Sequence, residues 1–113
     1  MKRGEVYWFR FAAPDKRRPV VILTRSGLVS HLGAVTVATV TSTRRKVPSE
    51  VPIGPEEGMP KACALNLHNV FTLSKDSLGP FLTTLSDDVM TRIDRALVFA
   101  LGVGERQGQL EPH

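Results

Sequence analysis

The feature that most restricts the fold is one helix pattern near the end of the chain, between Ser86 and Gly102. Val89, Met90, Ile93, Ala96, Leu97, Ala100 and Leu101 recur at i, i+1, i+4, i+7, i+8, i+11 and i+12, which gathers them on a single face of an α-helix. Ser86 is a natural N-cap, Asp87 and Asp88 set negative charge at the positive end of the helix dipole, and Gly102 supplies a left-handed stop. An apolar stripe of this width must be buried against a partner. Everything upstream reads as short strands, so that partner is a sheet.

The strands follow from β-branched and aromatic runs between turn residues. Val6 to Phe11 forms the first, and alternation puts Trp8 on the opposite face from Tyr7, Phe9 and Phe11. The last three are core residues on this reading, with Trp8 left as a stacking or interface candidate. After a turn containing Pro14 and Asp15, Pro19 opens a nearly all-apolar run to Thr24, an inner strand buried on both faces. Ser26 to Gly33 is a loop or edge connection. Ala34 to Ser42 is the longest strand, Glu50–Ile53 and Ala62–Leu67 are shorter, and Asn69–Leu73 and Phe81–Leu85 complete the set, with a helical turn over Ser74–Ser77. Six or seven short strands followed by one amphipathic helix predict an α+β, mainly β fold: a strongly bent antiparallel sheet or partly closed barrel with the helix laid across it.

With 113 residues, 42% of them hydrophobic, the chain holds one modest core and not two, so residues 1–104 are expected to form a single domain followed by a tail over 105–113. The single cysteine, Cys63, excludes an internal disulfide framework and reads as a small core residue in a reducing, cytoplasmic protein. No stretch approaches the roughly 18 consecutive apolar residues that span a membrane.

The formal charge of +4 is concentrated in Lys16-Arg17-Arg18 and Arg44-Arg45-Lys46, which points to a polyanion partner; either run alone is as well explained by a solvated loop. Arg18 stands immediately before the buried strand, where a rigid scaffold holds its backbone while the guanidinium stays wet, a setting suited to bidentate contact with a phosphate. Thr41 closes the longest strand and brings a hydroxyl that can meet the same phosphate. Lys16, Ser42, Arg44, Arg45, Lys46 and Asn69 are further candidates for contact with the polyanion. Asp15, Arg17 and His68 are candidates for acid/base or polyanion-binding roles, each with a plainer reading: a turn aspartate for Asp15, a second phosphate contact for Arg17, a satisfied strand histidine for His68. His31, His68 and His113 lie far apart and no CxxC or HxH spacing occurs, so no metal site is expected; GxxxxGK and GxGxxG loops are absent, and no cofactor is expected.

The opening Arg3-Gly4-Glu5-Val6-Tyr7-Trp8, the Arg18-Pro19-Val20-Val21 entry into a strand, the Val37-to-Ser42 strand ending in Thr41, the stretch Leu65 to Leu73 and the final helix together resemble, in order, the MazF/PemK family of toxin endoribonucleases. The resemblance implies an SH3-like small barrel with a C-terminal helix. It further implies a homodimer and an acidic, MazE-like antitoxin lying over the basic groove. Single-stranded RNA would be cut at short sequence motifs, leaving a 2′,3′-cyclic phosphate and a 5′-hydroxyl, with Arg18 and Thr41 as the catalytic pair. An arginine with an intrinsic pKa above about 12 is a poor general base, so its role is electrostatic. Two departures stand out. The loop glutamate that many members carry before the arginine has no match in Ala12 to Arg17, and His68 occupies a position that is often acidic. The alternatives are a CcdB-like inhibitor of DNA gyrase on the same fold, acting through its C-terminal helix, and a passive RNA-binding barrel.

Overall fold

The computed structural model describes residues 1–12 and 16–106. Six strands, β1 (Glu5–Arg10), β2 (Arg17–Ile22), β3 (Ala34–Thr41), β4 (Glu50–Ile53), β5 (Cys63–Ser74) and β6 (Phe81–Thr84), form one antiparallel sheet in the order β4-β5-β3-β2-β1-β6. A short helix α1 (Ser26–Val29) follows β2, and α2 (Asp87–Leu101) follows β6. The expected tail begins at Glu105 and Arg106, and its remaining residues, 107–113, lie outside the described part.

The curled sheet carries apolar side chains on both faces. Val6, Val21, Ala38, Val40, Leu65 and Leu67 meet Val89, Ile93 and Ala96 of α2 on one face; Val20, Ile22, Val35, Val37 and Leu73 meet Val29 of α1 on the other, flanked by Tyr7, Phe9, Phe11 and Phe71. Val20, Val21 and Ile22 are all fully buried, as expected of a strand covered on both faces. Phe9 and Phe11 pack edge to face at 4.9 Å between centroids, and both approach Phe71 at 5.9 Å.

Helix α2 starts and stops where its sequence dictates. The Ser86 hydroxyl accepts from the Val89 N–H at 3.3 Å, and Gly102 takes φ +65° so that its N–H reaches the carbonyls of Val98 and Phe99. Arg3 ties the chain start to this helix, its Nη2 donating to Asp94 at 2.8 Å and its Nε to the Leu23 carbonyl at 2.9 Å. The expected stripe is shortened at one end: Leu97 and Ala100 pack against the core, but Leu101 is 60% exposed.

Three further details differ from the sequence reading. Arg18 does not precede its strand: β2 begins at Arg17, paired with Arg10, and Arg18 pairs with Phe9. The Ser26–Gly33 connection contains the α1 turn, too short for helical periodicity to reveal. The two strands read at Ala62–Leu67 and Asn69–Leu73 are one element, β5, interrupted by a bulge. Thr39 pairs with Asn66 but Ala38 pairs with Val70, so Leu67, His68 and Asn69 have no partner on β3. The chain stays continuous there because the Leu67 N–H finds the Ser49 carbonyl at 2.8 Å and the His68 N–H finds Asn66 Oδ1 at 3.2 Å.

Candidate active site

Pro19 sets the position of the site. It has no N–H to donate, and the β2–β3 ladder accordingly runs only over Val20↔Thr39, Val21↔Ala38 and Ile22↔Val37. Arg18 and Thr41 therefore lie beyond the last pair, at neighbouring open ends of the two strands. A cleft of about 330 Å³ lies there, lined by Trp8, Lys16, Arg17, Arg18, Pro19, Val40 and Ser42 from the strand ends and by Met59, Pro60, Lys61 and Cys63 from the β4–β5 connection.

The floor of the cleft is apolar and its rim cationic. Trp8 faces Pro19 across the β1–β2 ladder, and the Arg17 guanidinium sits 5.0 Å from the centre of the Trp8 ring, a cation–π contact. Lys16, Arg17 and Arg18 are exposed, so their charges stay hydrated until a ligand displaces water. Among the described residues no carboxylate lines the cleft. Positive groups over apolar walls fit a ligand with anionic links and flat apolar parts. Burial pushes the Cys63 thiol above its ordinary pKa against the opposing charges of Arg44 and Lys61, which keeps it a neutral wall residue.

The predicted residues are gathered unevenly. Lys16, Arg17, Arg18 and Ser42 share the cleft. Thr41 adjoins it and has its Oγ1 accepting from the Thr43 N–H at 3.1 Å, a turn that ends the strand and leaves the hydroxyl proton for another acceptor. Asp15 lies outside the described residues. The second basic run is bound to the protein itself: Arg44 donates to the carbonyls of Cys63 and Ile53, and the Arg45 N–H donates to Glu50 Oε1 at 2.8 Å, with its guanidinium 3.9 Å from Glu50 Oε2. Lys46 is exposed at φ +56°. His68 and Asn69 stand exposed on the β5 bulge, away from the cleft lining, with His68 Nδ1 hydrogen-bonded to the buried Ser49 hydroxyl. Sequence reasoning missed Met59, Pro60 and Lys61, because only the folding back of the 54–62 loop brings them to the cleft. Among the described residues no three His, Cys, Asp or Glu side chains stand close enough to hold a metal ion, and no helix is long and apolar enough to cross a membrane.

Comparison with known proteins gives a consistent result. The profile of the PemK-like, MazF-like toxin of type II toxin–antitoxin systems matches residues 2–101. The chain is similar to the probable endoribonuclease MazF2 of Mycobacterium tuberculosis, 39% identical over 87 residues that cover 76% of this chain and 83% of the relative. It is also similar to the endoribonuclease MazF4 of the same species, 34% identical over 101 residues covering 89% and 92%. In structure it resembles a mycobacterial endoribonuclease solved in complex with its cognate antitoxin, with a TM-score of 0.83 and 31% identity over 91% of this chain and 96% of that one. With the half-closed six-stranded barrel, the C-terminal helix and these likenesses spanning nearly the whole chain, the protein belongs to the PemK-like, MazF-like family of type II toxins.

Proposed function

We propose that this protein, an endoribonuclease toxin of that family, cuts single-stranded RNA in the cleft at the open ends of β2 and β3. The observation that carries the reading is the placement of Arg18 on that rim, beside Lys16, Arg17 and Lys61, over an apolar floor. RNA brings its own nucleophile, the 2′-hydroxyl beside each phosphodiester. Its oxygen gives up its proton and attacks the adjacent phosphorus, the bond to the 5′-oxygen breaks, and that oxygen takes up a proton, so the products carry a 2′,3′-cyclic phosphate and a 5′-hydroxyl. The phosphorus gains negative charge on the way. Arg18 donates two hydrogen bonds to the non-bridging oxygens, and the free proton of the Thr41 hydroxyl supplies a third.

Base contacts come from the apolar floor, where Trp8 offers a flat ring, while Lys16, Arg17, Ser42 and Lys61 hold neighbouring phosphates. Asp15, next in sequence to Lys16, is the candidate base for the 2′ proton. His68 is set apart from the cleft and, with Asn69, is the candidate for reading a base beyond it. The same cationic rim is the docking surface for an acidic antitoxin segment, which blocks the phosphate site by imitating a polyanion. The active form is a homodimer working in the cytoplasm.

The test is incubation of the purified protein with a long unstructured RNA in excess EDTA, mapping cut sites and end groups. Discrete cuts with cyclic phosphate ends are expected. RNA left intact under all conditions refutes the reading and turns attention to the exposed Val98, Phe99 and Leu101 at the end of α2, the surface through which a gyrase inhibitor would act.

A further inference from the structure

Arg44 belongs to the second basic run, yet its guanidinium is turned onto main chain. Its Nε donates to the Cys63 carbonyl at 3.1 Å and its Nη2 to the Ile53 carbonyl at 3.0 Å. Ile53 and Cys63 face each other in the β4–β5 ladder, where the chain departs into the 54–62 loop and returns. One planar cation thus ties together both ends of that loop, a geometry that the arginine fork meets and a single ammonium meets poorly. Inside the loop, Glu57 accepts from the Gly54 N–H at 2.6 Å, and the Thr83 hydroxyl of β6 donates to the Glu57 carbonyl at 3.4 Å. The loop supplies Met59, Pro60 and Lys61 to the cleft, and Ser42, two residues before Arg44, lines it too.

We propose that Arg44 is a positioning residue for RNA binding: it fixes the 54–62 loop, and with it Lys61, in the wall of the cleft, and does not itself touch a phosphate. The inference rests on the cleft being the RNA site. Without the tie, Lys61 has to be ordered each time RNA binds, so the loss falls on binding and KM while kcat at saturation stays nearly constant. A direct phosphate contact behaves differently, because its removal weakens binding independently of Lys61.

The experiment compares wild type, Arg44→Ala, Lys61→Ala and the double variant. Amide hydrogen exchange is measured on the free proteins. Affinity for a single-stranded 2′-O-methyl RNA, which lacks the free nucleophile, is read from the fluorescence of Trp8, the single tryptophan. KM and kcat are measured on cleavable RNA. Arg44→Ala is expected to raise exchange within residues 54–62 and to weaken binding about three- to tenfold, the effect of ordering one long side chain. Lys61→Ala is expected to match that loss, and the double variant to be no worse than about twofold beyond either single change. Unchanged exchange in the free Arg44→Ala protein overturns the proposal, as do losses that multiply in the double variant. Arg44→Lys, which keeps the charge and one bond, carries the same comparison if Arg44→Ala does not fold. A wild type that neither binds nor cuts RNA refutes the functional reading and this role with it; exchange in the free protein distinguishes that failure from a loop that was never tied.

Discussion

Gly58 offers a quantitative check on how the 54–62 loop is built. Its φ is +91°, and a Cβ added there would lie 2.4 Å from Thr83 Oγ1 and 2.9 Å from Thr83 Cβ. A Gly58→Ala substitution therefore meets two separate penalties. Holding an L-residue at that φ costs about 1–2 kcal/mol. Forcing a methyl against the β6 side chain costs about 1–3 kcal/mol more, since Thr83 cannot rotate away without losing its bond to the Glu57 carbonyl. The sum is roughly 2–5 kcal/mol, or a fall in Tm of about 10–20 °C for a domain of this size. Urea and thermal melts of Gly58→Ala, Thr83→Ala and the double variant measure it. Because Thr83→Ala removes the closest atom but leaves both its Cβ and the backbone strain, the double variant should recover about 1 kcal/mol relative to additivity. A Gly58→Ala protein within about 0.5 kcal/mol of wild type, or strictly additive changes, would refute the packing argued for this loop.

Tyr7, the single tyrosine, donates its hydroxyl to Glu5 Oε1 at 2.7 Å, and burial together with that carboxylate pushes its pKa from 10.0 up to about 12. A spectrophotometric titration should show this midpoint, with Glu5→Gln lowering it; stability should hold below pH 10 and decline as pH rises toward 12, because the unfolded chain loses the phenolic proton first. Ile93, fully buried between α2 and the sheet, should lose about 2–5 kcal/mol on replacement by Ala, measured by urea denaturation, and a loss under about 1 kcal/mol would mean that α2 is loosely packed. Arg17→Ala should change the Trp8 emission of the free protein by removing the cation over the ring, and should flatten the salt dependence of RNA affinity by about one phosphate contact; an unchanged salt slope would take Arg17 off the RNA path.

What the sequence disclosed is what local chemistry controls. Helix α2 was legible because Ser86, Asp87, Asp88 and Gly102 act within one turn of its ends, and the buried part of β2, Val20 to Ile22, because an unbroken apolar run permits few alternatives. The β5 bulge was not legible. A polar pair such as His68-Asn69 looks like a break between strands, and its continuity depends on the Ser49 carbonyl and the Asn66 side chain, contacts that no periodicity encodes. Charge was visible in Arg44-Arg45-Lys46, but its direction was not: the guanidinium of Arg44 serves two carbonyls 9 and 19 residues away in the chain. Lys61 went unnoticed as a cleft residue for the same reason, since nothing near it in sequence reveals that its loop folds back toward Pro19.

The central claim is that Arg18 stabilises the charge that develops on phosphorus in this cleft. It is tested most directly by single-turnover cleavage of one mapped RNA site by wild type and by Arg18→Ala, with circular dichroism confirming that both are folded. The account predicts a fall of about 10²–10³-fold in the chemical step, and no cutting by wild type when the nucleotide at the site carries a 2′-deoxy sugar. An Arg18→Ala protein that cuts within about tenfold of wild type, or cleavage of the 2′-deoxy substrate, would contradict it.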